Sequence, residues 1–101
     1  MILYNLTINI DNDIREEWMT WIQNEHIPKV MKTKAFSRYT MYKMLNEEEN
    51  GGTTYCIQYF ANTLWDIEDY EENYAPTFQF EQYEKFGDKF VVFRTVLESV
   101  D

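Results

Sequence analysis

The chain of 101 residues is short enough for a single domain over residues 1–101, and its 45% hydrophobic and 18% aromatic content is enough for a packed core. A formal net charge of −9, from 18 acidic against 9 basic residues, repels phosphate backbones and anionic lipid, so neither nucleic acid nor a membrane is expected as a partner. The single cysteine, Cys56, excludes an internal disulfide, and with no basic leader before "ILYNLTINI" and no long apolar run the expected compartment is the cytoplasm.

The first element is a strand. In "YNLTINI" Tyr4, Leu6, Ile8 and Ile10 alternate with Asn5, Thr7 and Asn9, giving two unlike faces. "DNDIREEW" then starts a helix, with Asp11, Asn12 or Asp13 as candidate cap and Glu16 and Glu17 at the positive end of the helix dipole. Ile14, Trp18 and Ile22 recur every four residues, Trp21 lies beside them, and His26 continues the stripe. Pro28 lacks an N–H and crowds the preceding turn, so a kink is expected before a last turn ending near Lys34. "AFSRYTMYKML" alternates and is aromatic, which predicts a second strand. "NEEENGG" predicts a turn, and "TTYCIQYFA" a third strand. "NTLWDIEDYEENYAPTFQFEQYEKFG" predicts a second long helix, opened by a Thr63–Asp66 capping box, closed by Gly87, and buried through Leu64, Ile67, Tyr70, Tyr74 and Phe78. "DKFVVFRTVLESV" predicts the fourth strand.

This βαββαβ order, with right-handed crossovers, gives an α+β ferredoxin-like sandwich: a four-stranded antiparallel sheet with two helices on one face. The halves echo each other, since His26 in "NEHIP" and Tyr74 in "ENYAP" each precede a proline by two residues. Helices cover one sheet face only. Tyr4, Leu6, Ile8, Ile10, Tyr55, Ile57 and Tyr59 suit that face, which leaves Asn5, Thr7, Asn9, Thr54, Cys56, Gln58 and Phe60 on the other. Arg38, Tyr42, Phe93 and Thr95 belong to the edge strands, and their facing stays open at this stage. A mixed polar and apolar face fits a sheet packed against a twin, so a homodimer through the sheet is expected.

The pattern W21…H26-I-P28-x-V30 after an alternating strand resembles the W…H-x-P motif of the EthD-like branch of the dimeric α+β barrel superfamily. Over nearly its whole length, through "ILYNLTINI", "EHIPKVM", "GGTTYCIQY" and "FRTVLE", the chain is also similar to a small bacterial family with no assigned function. The resemblance implies sheet-to-sheet dimers and a barrel that holds small organic molecules, in some members with cofactor-free monooxygenase or isomerase chemistry.

The function expected is therefore a small-molecule-binding dimeric barrel protein. The alternative is a cofactor-independent enzyme in which His26 acts as general acid/base. A structural role for His26, as a half-buried polar residue where the helix breaks, competes with both. Asn5, Asn9, Gln58, Trp21 and Tyr74 are the candidate ligand-binding residues, although helical spacing also suits Trp21 to the core. One His and one Cys far apart give no metal-ligand spacing, and no glycine-rich phosphate loop is present, so no metal or cofactor is expected.

Overall fold

The computed structural model describes residues 1–45 and 51–101. Strand β1 (Ile2–Asp11) leads through a 3-10 turn (Asn12–Ile14) into helix α1 (Arg15–Trp21), a π-helical turn (Ile22–His26) and helix α2 (Ile27–Lys32). Strands β2 (Arg38–Lys43) and β3 (Gly52–Ala61) follow, then helices α3 (Leu64–Asn73) and α4 (Ala75–Phe86), and strand β4 (Phe90–Glu98). The strands form one antiparallel sheet in the order β2-β3-β1-β4, the ferredoxin-like arrangement expected from the sequence. The turn expected over 46–52 lies, for 46–50, outside the described residues.

The register settles the facing of each strand residue, because directly paired residues point to the same side. Asn5 stands between Gln58 and Thr95, Thr7 between Cys56 and Phe93, and Asn9 between Thr54 and Val91. On β2, Arg38, Thr40 and Tyr42 oppose Phe60, Gln58 and Cys56. The four edge residues whose facing the sequence left open all lie on the side away from the helices. On the covered side Tyr4, Ile8, Ile10, Tyr55, Ile57 and Tyr59 are buried against Trp18, Ile22, Ile27, Val30 and Ile67. Trp18 stacks on Tyr55 with ring centroids 5.4 Å apart, and Phe36 packs between Tyr4 (5.7 Å) and Tyr59 (5.0 Å).

The Tyr59 hydroxyl is buried in this cluster with no hydrogen-bond partner among the described residues. Burial raises its pKa well above the ordinary phenol value, so the group stays protonated. An unpaired buried hydroxyl costs roughly 1–3 kcal/mol, and phenylalanine has the same ring. Tyr59→Phe should therefore leave stability unchanged or raise it by about 1 kcal/mol in urea unfolding. A loss of that size would show that the hydroxyl has a partner.

The helices depart from expectation in four places. The side chains at the N-caps of the 3-10 turn and α1, Asp11 and Ile14, make no capping hydrogen bond among the described residues. Asn12 Oδ1 instead accepts from the Thr53 hydroxyl at 2.6 Å, and Asp13 pairs with Lys89 at 2.8 Å. At Pro28 the helical dihedrals continue without a break. The turn before it widens to the π form, in which the Ile27 N–H reaches Ile22 C=O. The wider turn takes the proline ring away from the carbonyl it would otherwise strike. That helix ends at Lys32, not near Lys34, and Lys34 takes a left-handed φ of 69°.

The second half meets its own proline differently. The single long helix expected from residue 62 to 87 is two helices, because Tyr74 leaves helical geometry (φ −126°) so that Pro76 can sit in the first turn of α4. The break also revises the expected apolar stripe: Ile67 and Tyr70 are buried, whereas Leu64 and Tyr74 are exposed. The Thr63–Asp66 capping box is present, with Asp66 N donating to Thr63 Oγ1 at 3.1 Å. Thr63→Ala should cost about 1 kcal/mol by thermal unfolding. Gly87 follows α4 at φ 61°, ψ −129°, a conformation only glycine adopts without strain.

Candidate functional site

Between the sheet and helices α3 and α4 lies a cavity of about 470 Å³. Strand pairing explains its sheet wall. Leu6 opposes Arg94, Ile8 opposes Val92 and Ile10 opposes Phe90, so alternate residues of β1 and β4 share the covered face. Its floor is made of buried side chains: Tyr4, Ile8, His26, Tyr70, Ala75 and Gln82. Its mouth is made of partly exposed ones: Glu71 and Gln79 on the helices, Val92 and Arg94 on β4. The Arg94 guanidinium and the Glu71 carboxylate form an ion pair that joins β4 to α3 at this rim.

The π turn brings His26 to the cavity, where it is 8% exposed. Its ring lies 5.0 Å from that of Trp21 and 5.9 Å, edge to face, from that of Phe78. Its Nδ1 is buried with no hydrogen-bond partner among the described residues. Burial is the main cause that lowers its pKa to about 4. Glu81 pushes the value up and Lys29 pushes it down, and those two side chains pair with each other at 3.0 Å. His26 is therefore neutral at pH 7. Tyr4 and Tyr70 keep their protons as well, because burial raises both phenols. Arg94 acts in the opposite direction on Tyr4.

The candidate residues named from sequence fall in three places. His26 lines the cavity. Trp21 stands behind it as a core residue, against His26 and Phe86. Tyr74 is exposed at the α3–α4 break and stacks on Tyr70 and Phe78. Asn5, Asn9 and Gln58 lie on the opposite face of the sheet. There Asn9 Nδ2 donates to Thr54 Oγ1 (2.9 Å), Asn5 Nδ2 to Thr7 Oγ1 (3.2 Å), and the Thr40 hydroxyl to Gln58 Oε1 (3.2 Å). Each of these amides makes one such bond to a threonine of its own face, while Asn5 Oδ1 is buried with no hydrogen-bond partner among the described residues. Sequence reasoning missed Gln82, Arg94 and Glu71. Arg94 had a signal, since it sits in register with the inward residues of β4, whereas Gln82 had none. Among the described residues, no group of three or more His, Cys, Asp or Glu side chains is placed to hold a metal ion. Nor is any helix among them long and apolar enough to cross a membrane.

A four-stranded antiparallel sheet, helices on one face and a cavity between the layers define a ferredoxin-like α+β domain with an internal pocket. The chain belongs to the family described as a domain of unknown function (DUF4286), whose profile matches residues 1–100. No curated protein matches the sequence. Solved structures share the fold at low identity. An EthD family protein from Bacillus halodurans C-125 is similar with a TM-score of 0.70 and 10% identity, covering 99% of this chain and 100% of its own. A dimeric ferredoxin-like protein from an uncultured marine organism has a TM-score of 0.69 and 14% identity over 99% of this chain and 95% of its own. HapK from Hahella chejuensis has a TM-score of 0.71 and 13% identity over 99% of this chain and 93% of its own. At these identities the likeness shows the fold alone.

Proposed function

We propose that the protein is a homodimeric α+β barrel that binds a small organic molecule in the cavity between sheet and helices. One observation carries the reading. The cavity has the size of a ligand pocket, its walls are largely apolar, and a few polar groups converge on it. A domain of this length selected for stability alone would fill such a space, because interiors pack to crystal-like density. Binding is best tested with a plug at the mouth. Val92 is partly exposed there, so Val92→Trp obstructs entry with little disturbance of the core. In a thermal-shift screen of small neutral ring compounds, wild type should be stabilised by some and Val92→Trp by none. Equal shifts in both proteins would place the binding elsewhere.

The dimer is supported by the uncovered sheet face. Phe93 is 66% exposed there, and Val91, Leu97 and Tyr42 are exposed on the same face. Large apolar side chains exposed together on an uncovered sheet face mark an interaction site. Two of the solved structures that share the fold are themselves described as dimeric.

A catalytic reading rests on His26, which lines the same cavity with a neutral imidazole. An efficient general base has a pKa near the working pH. A value of about 4 leaves His26 a weak proton acceptor, so binding without chemistry is the better-supported function.

A further inference from the structure

Gln82 is 6% exposed and lines the cavity. Its Oε1 accepts a hydrogen bond from Trp18 Nε1 at 3.1 Å. An indole N–H only donates, so the carbonyl end of the amide must face Trp18 and the NH2 end must face away from it. That NH2 group makes no hydrogen bond among the described residues. Unlike His26 Nδ1, it is not shut off from solvent. The cavity floor thus presents an oriented, unused donor. We infer that Gln82 is the ligand-reading residue of the cavity and Trp18 its positioning residue, and that the ligand is uncharged, with an apolar body and a carbonyl oxygen that accepts from Gln82 Nε2.

Two further observations fix the charge and body of the ligand. The formal charges at the mouth, Arg94 and Glu71, pair with each other, and the remaining polar lining groups are neutral. An ionic ligand would have to break that pair or enter without a counter-charge, and an anion would also meet the repulsion of a chain of net charge −9. Beyond Gln82, the floor is mostly hydrocarbon and aromatic ring, which suits an apolar body.

The inference rests on the binding reading above, and one experiment separates their failures. Equilibrium dialysis at pH 7.5 compares 2-acetylnaphthalene, 2-ethylnaphthalene and 2-naphthoate on wild type, Trp18→Phe and Gln82→Met. The readout is the ratio of ketone to hydrocarbon affinity, which a merely structural role for either residue would not move. The ratio should be about 3- to 10-fold higher in wild type than in Gln82→Met, the worth of one hydrogen bond. In Trp18→Phe it should fall toward the Gln82→Met value, because the amide is then free to turn. 2-Naphthoate should bind at least about tenfold more weakly than the ketone. An identical ratio in all three proteins, or preferred binding of the naphthoate, overturns the inference while the cavity stays a binding site. Failure of both neutral probes to bind wild type overturns the binding reading, and the inference with it.

Discussion

Phe93→Asp is expected to convert a dimer into a monomer. Phe93 stands beside Thr7 on the uncovered face, 66% exposed in the single chain, on the edge strand β4. A twofold sheet-to-sheet interface would meet this substitution twice. Each new carboxylate would lose its water with no cation in register, because its neighbours across β1 are Thr7 and Cys56. An unpaired buried charge costs several kcal/mol, enough to move a dissociation constant by a factor of a thousand or more. Sedimentation equilibrium at tens of micromolar should give twice the chain mass of 12.3 kDa for wild type and the single mass for Phe93→Asp. The monomer should keep its fold, since the substitution faces away from the core. A monomeric wild type would leave the exposed aromatics of this face without an explanation.

Wild type should lose about 2 kcal/mol of stability between pH 7 and pH 5, and His26→Gln should not. The folded pKa of His26 is about 4, below the ordinary 6.5. Between those values the unfolded chain takes up a proton that the folded chain refuses. Stability is therefore fully present above pH 6.5, falls as the pH drops toward 4, and levels off below it, a total of about 3 kcal/mol. Glu81 and Lys29 act on the imidazole in opposite directions, so burial decides the outcome. Comparing urea unfolding at pH 7 and pH 5 avoids most carboxylate titration. An equal loss in both proteins would show that His26 ionises freely in the folded state.

The fold was legible because its signals are local. Alternation in "YNLTINI" separates the two faces within seven residues, and Thr63 with Asp66 announces a helix start within four. The responses to proline were not legible. Pro28 and Pro76 sit in similar contexts, yet one is met by a π turn and the other by a helix break at Tyr74. Each solution depends on what the flanking turns pack against, which a single sequence does not reveal.

The candidate site was legible only in part, for the same reason. His26 attracted notice as the lone histidine on an apolar stripe, and it does line the cavity. Asn5, Asn9 and Gln58 were read from the strand period onto the uncovered face, and they lie there, across the sheet from the cavity that His26 lines. Gln82 looks in sequence like one more polar residue in "FQFEQYEKF". Its meaning comes from a hydrogen bond to Trp18, 64 residues away, and from burial that only the packed layers create.

The central claim is that this cavity holds a small molecule, and native mass spectrometry of freshly purified protein tests it most directly. Wild type should appear as a dimer carrying a small neutral adduct, and Val92→Trp as a dimer without it. Bare wild-type protein, or an adduct that survives equally in Val92→Trp, would contradict the account.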